Sequence, residues 1–346
     1  MFARWLMGFP VCVAVALGAV ASEPAGPSLL RFSFERSVMS LPVKLVFYAP
    51  DETAATRAAE AAFRRVLQLN DILSDYDAES ELLQLVATAG QGKAVAVSDE
   101  LWRVLVHAQS LAERSDGAFD VTINPVVRLW RRARREKRLP PPEKIQTARQ
   151  LVDYRNVRLD PAHKTVELVK KGMRLDLGGI AKGFICDEAL LTLRAQGIRS
   201  AMIVAGGDIG LADPPPTKAG WTIGVGVLEP DGRPTQYLCL AHCGVATSGD
   251  MFQFVEIGGK RYSHIVDPRT GMALTDHMTV TVVAPEGMTA DGLSTAVSVL
   301  GPQRGLRLVD ETAGAAALVL RATPEGVETY RSARWKELPA AEPPKP

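Results

Sequence analysis

The stretch RLDLGGIAKGF, Arg174 to Phe184, sets an acid (Asp176), a glycine pair (Gly178, Gly179), a lysine (Lys182) and a third glycine (Gly183) just ahead of an apolar helical run. Glycines let backbone N–H groups approach an anion without Cβ interference, and a helix start adds its positive end. The chemistry this suits is phosphate binding. The stretch is not a P-loop, because Lys182 is followed by Gly183 and Phe184 and no hydroxyl stands there to hold magnesium. The GGDIG segment (206–210) lacks dinucleotide-fingerprint spacing, and neither H-E-x-x-H nor G-x-S-x-G occurs. Five histidines (His107, His163, His242, His264, His277) are too few and too scattered for a multi-histidine zinc site.

Four other segments concentrate polar groups around small residues. SDGAFDVTINP carries Asp120 and Thr122, and VATSGDMFQF carries Thr247, Ser248 and Asp250. RYSHIVDPRTG sets His264 and Asp267 three apart, and TADGLSTA sets Asp291 and Thr295 four apart. On a helix, four apart means one face, so the carboxylate and the hydroxyl of the last pair point together. Two converging oxygen donors suit a hard cation such as Mg²⁺ or Ca²⁺. Each segment also has a structural reading: Asp120 as a turn cap, His264 as a turn histidine, Asp291 as the N-cap of the helix it precedes.

Several elements must position these groups. VKLVFYA (43–49) reads as a strand, and residues 53–73 carry apolar side chains at helical spacing. Ser98 caps a helix whose stripe is Leu101, Val104, Leu105, Ala108, Leu111 and Ala112, with His107 off the stripe and expected at the surface. RLWRRARREKRLPPPEK (128–144) is strongly basic; it reads as a solvated helix ending in a stiff turn, with contact to an acidic partner or anionic lipid as the functional alternative. AMIVAGG, WTIGVGV, TVTVVAP and AALVLRA read as strands, with helices from about Lys182 to Gly197 and from about Ala290 to Gly301. Strands and helices mix without a regular β-α-β beat, which predicts an α+β fold.

The chain has 346 residues and near-neutral charge, 40 basic against 39 acidic, so nucleic acid is not an expected partner. The N-terminus has Arg4, an apolar run from Trp5 to Val20 and the A-x-A pattern of Ala19 and Ala21. This reads as an export signal over 1–21, an uncleaved anchor being the alternative, with a linker over 22–36. The mature chain then has three cysteines, Cys186, Cys239 and Cys243, an odd number that makes no disulfide framework. CLAHC (239–243) reads as small semi-buried residues rather than a soft-metal site. The tail, 336–346, reads as disordered.

Taken in order, LSDYDAESEL, DGAFDVTINPVVRLW, LDLGGIAKGF, AGGDIG, ATSGD, KRYSHIVDPRTG and ADGLSTAVSVLG resemble the ApbE family, the FAD:protein FMN transferases. The resemblance runs from about Val38 to Asp310. It implies one domain over 37–335, an ApbE-like (T-fold-like) α+β fold of antiparallel sheets packed with helices. It implies transfer of FMN from FAD to a threonine hydroxyl of an acceptor flavoprotein, with release of AMP and dependence on Mg²⁺ (Ca²⁺ as a substitute). The acceptor would be an exported flavoprotein or a membrane redox-complex subunit, met in the periplasm or on the periplasmic side of the inner membrane. By motif match Met39, Tyr76, Ala118, Phe119, Asp120, Asp176, Lys182, His264 and Val266 would contact FAD. Asp291, Thr295 and the carbonyl of Gly179 would hold the metal, and His264 with Asp267 would activate the acceptor hydroxyl. Three positions depart from the family pattern: MSLP (39–42) where Met-Gly-Thr is frequent, Val86 where Asn is usual, and Ser294 where some members have a further acid. Hydrolysis of FAD to FMN and AMP, or FAD binding without turnover, are the competing expectations, separated by AMP release without acceptor and by recovery of intact FAD.

Overall fold

The strand Met278–Ala284 is buried at every position, so both faces of the sheet that contains it must be covered. The computed structural model describes residues 28–38, 41–229, 231–251 and 253–344. The chain opens with β1 (Leu30–Val38) and β2 (Leu41–Ala49), then α1 (Glu52–Leu73), α2 (Glu81–Ala87), β3 (Val95–Ala96) and α3 (Asp99–Arg114). Helices α4 (Asn124–Glu136) and α5 (Pro142–Arg149) precede β4 (Val157–Asp160), β5 (Thr165–Leu168) and α6 (Ala181–Ala195). Next come β6 (Ala201–Ala205), β7 (Asp208–Leu211), β8 (Trp221–Val225), β9 (Gln236–Leu240), β10 (Cys243–Gly249), β11 (Phe254–Ile257), β12 (Lys260–Ser263) and β13 (Met278–Ala284). Helix α7 (Gly287–Asp310) leads into β14 (Ala316–Thr323) and β15 (Gly326–Arg331).

Eight strands form one sheet in the order β1-β2-β6-β7-β10-β13-β14-β15, and every neighbouring pair is antiparallel. Side chains alternate between its faces. Val280, Val282 and Ala284 join Ala317 and Val319 in the core beneath α1, α3, α6 and α7. Val283, Leu318 and Leu320 pack on the other face against Trp221, Ile223 and Leu238 of the β8–β9 ribbon. The fold is therefore α+β, a helical layer and a two-stranded ribbon on opposite faces of an antiparallel sheet.

The capped helix over 99–114 forms as its pattern predicts: Ser98 Oγ accepts from Leu101 N, and all six stripe residues are buried. His107 differs from expectation; it is half-buried, and burial lowers its pKa. The linker expected over 22–36 is corrected where it is described, since Leu30–Arg36 lie in β1 and pair with β2, Phe34 stacking on Phe47. The tail expected to be disordered is ordered through Ala341: Cys239 N donates to Pro339 O (2.8 Å) and Ala341 N to Tyr237 O (2.8 Å), extending the ribbon edge. The export signal over 1–21 and Met39 lie outside the described residues. Among the described residues no helix is long and apolar enough to cross a membrane.

Helices α6 and α7 cross at glycine. A Cβ on Gly183 would sit 2.0 Å from Gly287 O, and one on Gly287 would sit 2.6 Å from Gly183 O. Gly183 is thus needed for helix contact, not only for approach to an anion. The start of α7 is capped from α6: Asp187 accepts from Gly287 N (2.7 Å) and Met288 N (2.9 Å). Asp291 is therefore not the N-cap; it lies one turn inside the helix.

Candidate active site

The α6–α7 crossing carries the glycine loop onto the face of α7 that bears Asp291 and Thr295. Asp291 is 1% exposed, and its carboxylate accepts from Lys182 Nζ (2.9 and 3.1 Å) and Gly183 N (3.2 Å). Lys182 Nζ also reaches Gly178 O (3.3 Å) and stands 2.8 Å from Asp208 Oδ2. Burial alone would discharge this lysine, but Asp208 and Asp291 hold it protonated, above its ordinary range. Burial, then the neighbouring Asp291, push the Asp208 carboxyl up to about 7. The Lys182–Asp208 contact is held by charge; Asp208 Oδ2 is buried and receives no well-directed hydrogen bond.

Thr295 is half-exposed on the same face, one turn after Asp291. A Cβ on Gly179 would lie 3.0 Å from Thr295 Oγ1 and 3.4 Å from Phe119. The structure thus brings Gly179, Asp291, Thr295, Lys182 and Phe119 to one corner. Ser248 Oγ lies 3.4 Å from Thr295 Oγ1 and 2.7 Å from Ser294 Oγ. Ser294 is fully buried and donates to Asp291 O (2.9 Å), so it braces α7 where some family members carry an acid.

The corner fits a hard divalent cation. It offers carboxylate oxygens, a hydroxyl and loop carbonyls; a cationic ammonium already sits between its two acids, and one buried oxygen lacks a hydrogen bond. Among the described residues no group of three His, Cys, Asp or Glu side chains gathers as a self-sufficient metal cage. A cation here would keep positions for ligand oxygens.

His264 lies between β12 and the turn that follows. Its Nδ1 is 3.2 Å from Gln253 O, which fixes the proton on Nδ1 and leaves the Nε2 lone pair available. Burial, then the charge of Arg134, push its pKa down to about 4, so the ring is neutral near pH 7. Ala118 packs with Ile265 and Val299, joining the GAFD segment to the histidine segment.

Four of the expected site residues have partners within the protein. Asp267 does not orient His264; its carboxylate accepts from Arg269 Nε (2.9 Å), Nη2 (2.8 Å) and backbone N (2.9 Å), and shapes the Pro-x-x-Gly turn. Asp120 is also bonded within the protein. It accepts from Thr122 N (2.8 Å), Thr122 Oγ1 (2.6 Å) and Tyr154 N (2.9 Å), and burial pushes it up to about 6. Asp176 holds Gly178 N (2.8 Å) and Arg131 Nη2 (2.9 Å), so it shapes the glycine loop. The Val266 side chain is buried with Trp130 and Val126, leaving only its backbone for contact. Tyr76 is 76% exposed and stacks under the Arg131 guanidinium (4.6 Å), a platform open to a planar ring.

Sequence reasoning missed three positioning groups. Asp208 lies in GGDIG, a block of the resemblance that assigns its acid no role. Arg131 was hidden in a charge run; it bridges Asp75 (2.7 Å) and Asp176 (2.9 Å). Asp250, seen in ATSGD without a role, is buried and held by His277 Nδ1 (2.8 Å) and by Arg261, tying β10 to β12.

Residues 39–319 match the model of the ApbE family. The chain is 32% identical to the FAD:protein FMN transferase of Treponema pallidum, with 91% of each chain covered. Among solved structures it is similar to the apo form of the Pseudomonas stutzeri flavinyl transferase ApbE. Identity is 27% and the TM-score 0.80, over 91% of this chain and 98% of that one. The flavin transferase ApbE of Vibrio cholerae gives 27% identity and a TM-score of 0.77, over 90% and 100%.

Proposed function

The chain belongs to the ApbE family, and from that premise we propose that it is a FAD:protein FMN transferase. FMN would pass from FAD to a threonine hydroxyl of an acceptor flavoprotein, and AMP would leave. The observation that carries this reading is the corner where Lys182, Asp208, Asp291 and Thr295 meet the glycine loop. Gly179 O, Asp291 and Thr295, with Asp208 beside them, would hold Mg²⁺, for which Ca²⁺ can substitute. When bound, the cation neutralises the diphosphate and favours in-line attack.

The chain's own groups have distinct tasks. Gly178 and Gly179 leave room for diphosphate oxygens, and Lys182 supplies a full positive charge. Tyr76 under Arg131 offers a stacking face to the flavin ring. The His264 Nε2 lone pair takes the threonine proton as the new O–P bond forms at the FMN phosphorus. The bond from that phosphorus to the bridging oxygen breaks, and AMP departs with the bridging oxygen. The apolar run before Ala21 supports an exported enzyme acting on a periplasmic or membrane-bound redox subunit.

The test incubates the protein with FAD, Mg²⁺ and an exported flavoprotein domain, and reads intact mass and AMP. A gain of one FMN per acceptor with one AMP released is the outcome this reading requires. AMP without mass gain would make the enzyme a hydrolase, and neither product would make it a binding protein.

A further inference from the structure

Helix α4 carries Asn124, Arg128, Arg131 and Arg135 at spacings of four, three and four, which is a single face. Its opposite face, Val126, Trp130 and Ala133, is buried against Ile145, Tyr262 and Val266. The polar stripe therefore faces away from the core. With Arg174, Asp75, Tyr76 and Leu83 it lines a cavity of about 350 Å³. Arg174 is fixed beside the start of α4 by a parallel bridge to Ile123.

The charges in this cavity do not balance. Asp75 is its acid, and that carboxylate is already taken by Asn124 Nδ2 (3.0 Å) and Arg131 Nη1 (2.7 Å). Arg131 is further neutralised by Asp176. Among the described residues, Arg128, Arg135 and Arg174 have no acidic partner within ion-pair distance. Asn124 is 2% exposed with an unpartnered Oδ1, and Arg174 Nε is buried without a hydrogen bond. Burial, then Arg128, lower the pKa of Arg174, so the cluster bears mutual repulsion. An anion entering the cavity relieves that repulsion and gives Arg174 a partner.

We propose that this arginine cavity binds the acidic side chains of the acceptor protein beside its target threonine. The inference rests on the transferase reading above. Two observations favour a protein carboxylate over the phosphates of FAD. Asp176 neutralises Arg131 on the side of the glycine loop, while Arg128 and Arg135, on the same helix face, have no acidic partner among the described residues. Arg128 and Arg135 are exposed, as a surface that meets a macromolecule must be. The cavity shares Tyr76 and Arg131 with the proposed flavin platform, so a segment held there lies beside that platform. Its volume suits one or two carboxylate side chains and not a lipid surface.

The test uses two fluorescent threonine-bearing peptides of one length, with aspartates or with asparagines flanking the threonine. Anisotropy should show the acidic peptide binding the wild-type protein at least tenfold tighter, with affinity falling as salt rises. R128E/R135E should abolish that preference, R128Q/R135Q should weaken it, and FAD affinity should be unchanged in both. Both residues are exposed, and a thermal melt within about 2 °C of wild type confirms folding, about the scale of a surface substitution. Equal binding of the two peptides overturns the proposal. So does loss of FAD affinity in the double variants, which would assign the cavity to FAD. Binding of phosphatidylglycerol vesicles that needs these arginines, without preference between the peptides, overturns it in favour of lipid. Because anisotropy needs no turnover, tight acidic-peptide binding without any flavin transfer would sink the transferase reading while leaving the carboxylate site standing.

Discussion

Gly183→Ala tests whether the α6–α7 crossing is what assembles the active corner. The added methyl would sit 2.0 Å from Gly287 O, 2.3 Å from Gly287 C and 2.7 Å from Met288 N, against the 3.4 Å or more of ordinary contact. These are backbone atoms and cannot rotate away, so the helices must separate by more than 1 Å, an estimate from the overlap of hard spheres. Overpacking costs typically about 1–3 kcal/mol, and a rigid obstacle places this case at about 3 kcal/mol or above. For a domain of about 300 residues that lowers Tm by roughly 5 °C. The same shift pulls Asp291 from Gly183 N and Lys182 Nζ, so metal and FAD affinity should fall as well. Gly197→Ala is the control: Gly197 has φ +85° and open space around its Cβ position, so it should lose only about 1 kcal/mol of conformational preference and no affinity. Differential scanning calorimetry reads the stability, and calorimetric titration with FAD and Mg²⁺ reads the site. A Gly183→Ala protein that melts within 2 °C of wild type (about 1 kcal/mol) and binds FAD normally would refute this reasoning.

His264→Gln should lower kcat by about 10²–10⁴-fold with FAD affinity unchanged, the span of general-base assistance; an unchanged kcat removes the histidine from the mechanism. Arg134→Gln removes a positive neighbour and should move the acid limb of kcat/KM to higher pH, from the low position set by a His264 pKa near 4. Lys182→Met leaves Asp208 and Asp291 without their shared cation; breaking a buried pair costs about 3–5 kcal/mol. In chelator its Tm should drop, and millimolar Mg²⁺ should restore more of it than it adds to wild type. Burial pushes Asp187 up to about 6 from 3.8, so between those pH values the folded state holds a proton that the unfolded state lacks. Its contribution to stability then declines as pH rises through that window, by about 3 kcal/mol in all. Asp187→Asn should flatten the fall in urea midpoint from pH 4 to 6, and equal slopes in the two proteins would contradict this.

The helices were legible because burial imposes a period. The stripe from Leu101 to Ala112 and the one-face pair Asp291 and Thr295 both follow from 3.6 residues per turn. The first strand carried its signal too, since Leu30, Phe32 and Phe34 alternate with Arg31, Ser33 and Glu35. That alternation was overridden by its position after an apolar leader. The tail misled by composition: Pro339 lacks an N–H, yet an edge strand needs only its carbonyl. Partner choice was not legible at all. Asp120, Asp176, Asp208 and Asp267 are identical side chains in similar small-residue loops. Only the fold reveals that Asp120 and Asp176 hold backbone N–H groups, Asp267 holds an arginine, and Asp208 shares a lysine with an acid 83 positions on (208 to 291).

That division of labour bears on how substrate enters. The loop acids are already bonded within the protein, and Lys182 already neutralises the corner acids. Among the described residues the Nε2 of His264 has no hydrogen-bond partner, and the Thr295 hydroxyl has one at 3.4 Å. Lys182, Asp208 and Asp291 already form a charged cluster, and under the proposed function Asp208 and Asp291 would hold a cation in place of the ammonium now between them. The desolvation of those carboxylates is already met on folding, so it does not weigh against binding. The ammonium already reaches the loop at Gly178 O (3.3 Å), where a phosphate oxygen would be its next partner. Metal and FAD should on this argument bind cooperatively, each drawing Lys182 away from the acids the other needs cleared. A titration in which Mg²⁺ leaves FAD affinity unchanged, in a protein that binds both, would break that linkage.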